Sequence, residues 1–275
     1  RPADRIAVFD NDGTLWPEQP MPFQLAFVLD EIRRLEPDHP EWKDRPIIQA
    51  ALKGDVATIH HEGMKGALEL LAVTHGEVTV EEFNDRVRNW MRTAQHPRFK
   101  RLYRDLAYQP MLEVLELFRA NGFKTFIVSG GGADFMRVWS EEIYGIPSEQ
   151  VIGSYAKLRY ELRDDKPVLF KEAALEFVDD KAGKPVAIHR FIGKTPAACF
   201  GNSDGDKEML ELTTIGRPGH FGLIVHHTDA EREYQYDKVT KSTGQLIEAL
   251  ADAPKRGWTV VDMRRDWKQV FREKR

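Results

Sequence analysis

The sequence predicts an α/β fold in which a parallel β-sheet core carries an inserted, mostly helical domain. Four short apolar runs, each bounded by Gly, Asp, Ser or Asn, are typical of buried strands; they span residues 6–9, 124–128, 197–200 and 222–226. Strands that are nearly continuous in apolar residues, with helical patterns between them, indicate a parallel sheet covered on both faces. The long stretch between the first two runs has only helical patterns, which indicates an insertion.

The first strand ends at two carboxylates, Asp10 and Asp12, in the stretch FDNDGTLW. Burying a charged group without a partner is costly, so acids directly after a buried strand need an explanation. A single Asp in this place would often be a helix cap. Two of them make this loop a candidate functional site.

The insertion is predicted to span residues 17–108. The stretches FQLAFVLDEIRRL and MKGALELLAV have helical patterns. Thr79 and Glu82, three positions apart, form a capping box before a third helix. We therefore assign residues 1–16 and 109–275 to the sheet core and residues 17–108 to the helical insertion.

The remaining elements follow in chain order. QPMLEVLELFRANG predicts a helix whose apolar stripe is Met111, Leu112, Leu115 and Phe118. Residues 151–171 alternate in polarity and predict a β-hairpin that turns at Asp164-Asp165. A short helix at residues 185–191 precedes the third strand.

Composition excludes several classes of partner. The 275 residues have a formal net charge of −4, with 41% hydrophobic and 31% charged residues. This balance predicts a soluble protein with no nucleic-acid partner and no membrane span, and it leaves the oligomeric state open. The chain begins at Arg1 rather than Met, from which we expect that an upstream segment was removed: a signal peptide, a tag or a disordered leader. Both a cytoplasmic and an exported location fit this expectation.

Polar residues follow all four predicted strands, at residues 10–14, 129–132, 201–206 and 226–229. Ligands of open parallel sheets bind beyond the carboxyl ends of the strands. Carboxylate oxygens suit Mg²⁺, and glycine-rich turns that lead into helices suit a phosphate. The pattern predicts a Mg²⁺ and phosphate site, and one of His226 and His227 could face it.

Four motifs in this order resemble those of the haloacid dehalogenase-like superfamily, most closely its phosphoserine-phosphatase-type branch with a helical cap. They are FDNDGTLW, IVSGGG, Lys184 in AGKPVAIHRF, and GNSDGDKEM. The resemblance implies a Rossmann-like core with residues 17–108 as the cap. An acid at position 12 indicates phosphate chemistry, since a halide leaving group needs no proton.

The resemblance also implies roles for individual residues. Asp10 would be the nucleophile that becomes an aspartyl-phosphate, and Asp12 the general acid and base. Lys184 would neutralise charge between Asp10 and the phosphate, with Lys181 as the alternative. The phosphoryl oxygens would be held by Ser129, Gly130 and Gly131.

The metal ligands implied for Mg²⁺ are Asp10, the main-chain carbonyl of Asp12, Asn202 and Asp206. The family pattern usually has an acid where this chain has Asn202, so the metal would lose one charged ligand. Asp204 either compensates for that loss or faces solvent.

The substrate is less constrained. Trp16 is expected to wall the leaving-group pocket, and Glu18 lies near the position at which phosphoserine phosphatases bind an amine. The segment GMKGALELLAV has no arginine for a carboxylate, so phosphoserine is not supported. The sequence favours a Mg²⁺-dependent phosphomonoesterase acting on a small phosphorylated metabolite; a phosphotransferase or mutase, and a catalytically weak phospho-ligand-binding homologue, remain as alternatives.

Overall fold

The computed structural model describes residues 2–238 and 243–273. Within them, eight strands form one sheet: β1 (Ile6–Phe9), β2 (Val78–Thr79), β3 (Lys124–Gly132), β4 (Val151–Arg163), β5 (Lys166–Phe177), β6 (Ala198–Gly201), β7 (Phe221–His226) and β8 (Thr259–Asp262). The α-helices are α1 (Phe23–Leu35), α2 (Pro46–Lys53), α3 (Val56–His61), α4 (Gly63–His75), α5 (Val80–Thr93), α6 (Gln109–Ala120), α7 (Ala133–Arg137), α8 (Ser140–Tyr144), α9 (Gly183–Phe191), α10 (Lys207–Thr214), α11 (Glu248–Arg256) and α12 (Met263–Asp266). None of the described helices is long and apolar enough to cross a membrane.

The sheet has the strand order β2-β5-β4-β3-β1-β6-β7-β8. The pairs from β4 through β3, β1, β6 and β7 to β8 are parallel, whereas β5 pairs antiparallel with β4 and with β2. All four residues of β1 are buried, as expected for a central strand covered on both faces. The α/β fold class predicted from the sequence is confirmed.

The β4–β5 hairpin extends beyond its predicted end. It turns at Asp164-Asp165, both with positive φ, as Asp tolerates in tight turns. Its second strand continues to Phe177 rather than stopping at residue 171. The first four residues of β4 pair with β3 and the rest with β5, so the hairpin projects from the core sheet.

The helices of residues 17–108 pack against one another and against β5. The predicted capping box is present: Thr79 Oγ1 accepts from the Glu82 amide at 3.0 Å, and the Thr79 amide donates to Glu82 Oε2 at 2.9 Å. The largest apolar cluster joins Phe9 and Phe200 of the sheet to Phe27 and Ile48 of these helices. The division between residues 17–108 and the rest therefore crosses a shared apolar core, and it stays a prediction.

Candidate active site

Three neighbouring strands deliver polar groups to one edge of the sheet. Asp10 follows β1, Ser129 lies near the end of β3, and Asn202 follows β6. A cavity of about 930 Å³ opens there. Of the residues predicted for the site, it is lined by Asp10, Asp12, Glu18, Ser129, Gly130, Gly131 and Lys184.

Lys184 links two buried carboxylates. Its Nζ donates to Asp10 Oδ1 at 2.8 Å and to Asp206 Oδ1 at 2.6 Å. Burial would lower the pKa of Lys184, but the two carboxylates outweigh it and raise that pKa above its ordinary value. Lys184 is therefore a fixed positive charge beside the nucleophile candidate. Lys181, the alternative, lines the same cavity with an exposed side chain.

The pKa of Asp10 lies well above its usual range, because burial and the charge of Asp206 outweigh the attraction of Lys184. Asp12 contributes further repulsion. One lysine thus faces three acidic side chains in a site shielded from water. The negative charge of the three acids exceeds the positive charge of the lysine, so a bound cation would be stabilised there.

Asp206 is held by the turn that precedes it. Its Oδ2 accepts from the amides of Asn202 and Ser203 at 2.9 and 3.1 Å. A Cβ at Gly201 would lie 2.5 Å from Asp206 Cβ, so only glycine fits the end of β6. The local motif therefore aims Asp206 Oδ1 at Lys184.

Asp12 is oriented by Trp16. The indole Nε1 donates to Asp12 Oδ1 at 2.6 Å. Burial raises the pKa of Asp12 to about 6, opposed by the Trp16 hydrogen bond and by Lys184. A carboxyl with a pKa near neutrality can both release and accept a proton.

Trp16 does not have the position expected from the sequence. It is 1% exposed and packs on Trp139 and Phe23, with ring centroids 4.2 and 4.6 Å away. It is not among the described residues that line the cavity. The aromatic packing fixes the indole as a donor to Asp12, so Trp16 holds the carboxyl rather than walling the pocket.

The glycines after Ser129 leave the strand ladder. Ser129 pairs with Gly153 but Gly132 pairs with Ser154, so Gly130 and Gly131 form a bulge. A Cβ at Gly131 would lie 3.6 Å from Asp12 Oδ2 and 3.5 Å from Ser129 Oγ. The bulge keeps main-chain atoms close to the carboxylates without a side chain between them.

Asn202 is hydrogen-bonded on both sides. Its Oδ1 accepts from Thr14 Oγ1 at 3.1 Å, and its Nδ2 donates to Glu18 Oε1 at 2.6 Å. Glu18 also accepts from Tyr236 and Thr243 at 2.9 and 2.7 Å. Burial raises the pKa of Glu18 to about 7, against these hydrogen bonds. A carboxylate thus lies one hydrogen bond away from the Asn202 amide.

Asp204 is hydrogen-bonded to the start of helix α11. Its carboxylate accepts from the amides of Ile247 and Ala249 at 2.9 to 3.1 Å. These amides belong to the first turn of α11, whose N–H groups lack partners within the helix. Asp204 therefore caps α11, which explains an acid at this position without a metal.

No specific role follows from the sequence for two further buried groups near the site, His227 and Asp179. His227 Nε2 lies 2.7 Å from the Gly13 carbonyl, and its Nδ1 lies 3.0 Å from Glu233 Oε2. The Gly13 carbonyl is an acceptor, so Nε2 donates to it, and Nδ1 shares a hydrogen bond with the Glu233 carboxyl group. Burial opposes a positive charge on the ring, yet Glu233 raises the pKa of His227 overall. His227 clamps the carbonyl of the first motif; neither it nor His226 is among the described lining residues.

Asp179 is the other such group. It is fully buried, and neither carboxylate oxygen has a hydrogen-bond partner within the described part of the chain. Burial raises its pKa to about 7, with Lys184 opposing. The sequence signal was the acidic pair Asp179-Asp180 before α9, which reads equally well as a surface turn.

Comparison with known proteins agrees with this geometry. The site lies beyond the carboxyl ends of parallel strands, where ligands of open α/β sheets bind. A family model described as haloacid dehalogenase-like hydrolase matches residues 7–211, which is more than half of the chain. The chain belongs to the haloacid dehalogenase-like hydrolases. A search of curated proteins found no match.

Two solved structures share the fold. A protein of unknown function from Bordetella pertussis Tohama I has a TM-score of 0.57 at 16% identity, over 94% of this chain and 98% of its own. A functionally unknown protein from Anaerococcus prevotii DSM 20548 has a TM-score of 0.52 at 15% identity, over 90% and 91%. A phosphoserine phosphohydrolase-like protein from Francisella tularensis subsp. tularensis SCHU S4 reaches only 0.41 at 13% identity, over 80% and 87%, which is too low to transfer an activity.

Proposed function

We propose that this protein is a Mg²⁺-dependent phosphomonoesterase that hydrolyses a small phosphorylated metabolite through an aspartyl-phosphate on Asp10. The observation that supports it is the buried Asp10–Lys184–Asp206 arrangement beside the Gly130-Gly131 bulge. A carboxylate can attack phosphorus, and main-chain amides with a lysine can stabilise the phosphoryl oxygens.

The oxygen atoms at the site fit Mg²⁺. Two carboxylates, Asp10 and Asp206, with the Asn202 amide oxygen and the Asp12 carbonyl, would hold it, and Mg²⁺ typically takes one or two carboxylates and several waters. No group of three or more His, Cys, Asp or Glu side chains forms a metal centre within the described ranges, so the amide and main-chain oxygens are needed. Bound Mg²⁺ would supply charge that the acidic side chains, with one lysine among them, leave uncompensated.

The residues divide the chemistry into two steps. A carboxylate oxygen of Asp10 forms a bond to phosphorus as the bond to the alcohol oxygen breaks, and Asp12 gives that oxygen its proton. In the second step Asp12 takes a proton from water, which attacks phosphorus and releases inorganic phosphate and Asp10. Ser129 and the bulge amides hold the phosphoryl oxygens throughout.

The test separates the two steps. With p-nitrophenyl phosphate, whose leaving group needs little protonation, Asp12→Asn should release one equivalent of nitrophenol in a burst and then stall. The trapped phosphoryl group should appear by mass spectrometry on the peptide that contains Asp10. Asp10→Asn should give neither burst nor turnover, a loss of several orders of magnitude.

Asp164→Asn, at the exposed turn of the hairpin, is the matched control and should keep wild-type turnover. Activity of the wild type should disappear with a chelator and return with Mg²⁺. If Asp10→Asn retained more than about a tenth of wild-type turnover, the covalent mechanism would be wrong.

A further inference from the structure

The cavity continues well beyond the phosphate end of the site. Its volume of about 930 Å³ lies at the upper end of the range for small-molecule sites, far more than a phosphoryl group occupies. Apolar side chains from α1, α4, α5, α7 and β5 line this extension: Leu25, Val28, Leu71, Phe83, Phe135 and Leu175. Whatever alcohol carries the phosphate has an apolar chamber to fill.

Three charged side chains of the cavity, Lys171, Glu172 and Glu18, already have ion-pair or hydrogen-bond partners within the protein. Lys171, 3% exposed, forms an ion pair with Asp134 and lies 4.8 Å from the centroid of the Phe83 ring. Glu172 pairs with Lys157 at 3.3 Å. Glu18 accepts from Asn202, Tyr236 and Thr243.

A charged leaving group would therefore find little free charge to meet. No arginine lines the cavity within the described residues, and its exposed lysines are Lys181 and Lys238. Asp180 is the exposed acid, and it lies beside Gly130 at the phosphate end. An ammonium or carboxylate among the apolar side chains of α1, α5 and α7 would lose its hydration, because the charged groups beside them, Lys171 and Asp134, are already paired with each other.

We propose that the substrate is the phosphomonoester of a bulky, uncharged, apolar alcohol, and that α4 and β5 select it by enclosing that alcohol. The inference rests on the proposed function, since it takes the phosphate end of the cavity as the reacting end. It disfavours amino-acid phosphates, whose leaving groups are zwitterions.

A series of n-alkyl phosphates from ethyl to octyl tests the inference, because their leaving groups have nearly the same acidity and differ only in apolar length. We expect kcat/KM to rise about fourfold per added methylene until the chain fills the cavity, since this is the effect of burying one methylene. O-phosphoserine should be a poorer substrate than butyl phosphate.

Ala67→Phe in α4 places a ring in the extension, and Ala57→Phe is its control, because Ala57 is exposed on α3 and is not among the described lining residues. Ala67→Phe should lower the ratio of octyl to ethyl phosphate kcat/KM at least tenfold. Ala57→Phe should leave this ratio unchanged.

Binding to Asp10→Asn, measured by calorimetry with Mg²⁺ present, gives a readout that does not depend on turnover. A Kd that falls with chain length supports the inference. If the wild type hydrolyses all esters equally, or prefers O-phosphoserine, the inference is overturned and the proposed function stands. If no ester turns over but Kd still falls with length, the apolar site stands and the proposed function fails; if Kd is also flat, both fail.

Discussion

The side chains of Asn202 and Glu18 form a buried pair at the position where the sequence resemblance leads us to expect an acid in place of Asn202. The amide at position 202 donates to Glu18 Oε1 at 2.6 Å, and its oxygen accepts from Thr14. Gly13 makes the close packing possible: it has φ of +79°, and a Cβ there would lie 2.1 Å from Asn202 Nδ2. The amide is thus matched to a carboxylate that a second acid at position 202 would repel.

Replacing Asn202 alone by Asp should therefore destabilise the protein. At a pH above the Glu18 pKa of about 7, Asn202→Asp puts two carboxylates at hydrogen-bond distance. We expect the free energy of unfolding, measured in a chelator at that pH, to fall by about 2 kcal/mol. The double variant Asn202→Asp with Glu18→Gln restores one donor and one acceptor, and should recover most of that loss. Urea denaturation of the two variants and the wild type measures both effects.

The same double variant also tests Asn202 as a metal ligand. An added carboxylate should lower the Mg²⁺ concentration for half-maximal activity about tenfold relative to the wild type. Asn202→Ala should raise it. If all three proteins half-saturate within about twofold of one another, the side chain at position 202 does not hold the metal.

Among the elements, the β4–β5 hairpin connects the core sheet to helices α4 and α5, which pack against β5. Lys171 of β5 pairs with Asp134 at the start of α7, and residue 171 is also the partner of Val78 in β2. Asp134 lies three residues after the Gly130-Gly131 bulge. The buried ion pair therefore joins the wall of the cavity to the phosphate end.

Removing one partner of this buried ion pair should destabilise the protein more than removing one partner of an exposed ion pair on the same hairpin. Lys171→Met leaves the mostly buried Asp134 with Arg137, 3.7 Å away, as its remaining cationic partner among the described residues. We expect a loss of about 3 kcal/mol in the free energy of unfolding. Combining it with Asp134→Leu should recover much of the loss. Lys157→Met, which breaks the exposed pair with Glu172, should cost less than about 1 kcal/mol. Equal losses of stability from Lys171→Met and Lys157→Met would contradict a stabilising role for the buried Lys171–Asp134 pair.

At the scale of the whole molecule, one histidine in the shared apolar core makes a contribution to stability that depends on pH. His75 lies in that core between Phe27 and Phe83, with ring centroids 6.0 and 4.6 Å away. The Thr74 hydroxyl donates to Leu70 O, so it accepts from His75 Nδ1, 2.6 Å away. Burial lowers the pKa of His75 to about 3, with Lys171 and Arg86 adding to the effect. The ring is therefore neutral, and its Nε2 has no hydrogen-bond partner within the described residues.

The contribution of His75 to the free energy of unfolding should therefore fall as the solution is acidified, while the buried acids Glu18 and Asp179, whose pKa values are raised to about 7, act in the opposite direction. In the unfolded chain His75 has a pKa of about 6.5, so between pH 6.5 and 3 the unfolded state binds a proton that the folded state does not. The contribution is complete above pH 6.5, and roughly 2 kcal/mol of it is lost between pH 7 and pH 5. We therefore expect the free energy of unfolding of His75→Phe, relative to that of the wild type, to be roughly 2 kcal/mol higher at pH 5 than at pH 7. Denaturation of both proteins at the two pH values measures this difference. Parallel pH profiles for the two proteins would show that His75 is protonated in the folded state.

The sequence by itself determined the strands of the core and the polar residues at their ends. Strand β1 and the acids after it are local features: four apolar residues are buried by any parallel sheet, and Asp10 follows wherever that strand ends. The capping box of Thr79 and Glu82 is equally local, and it formed as expected. The short β8 strand, with four residues and no alternating pattern, has no comparable signal.

Tertiary structure alone decided the partners of the site residues. Asn202 meets Glu18 across 184 positions of sequence, and His227 meets Gly13 across 214. Trp16 turned away from the cavity because Trp139 and Phe23 pack against it, and Lys171 entered the cavity wall because β5 pairs beside β4. Local periodicity specifies which face of an element is buried, but the strand order and the packing of helices on the sheet specify which distant side chain it meets there.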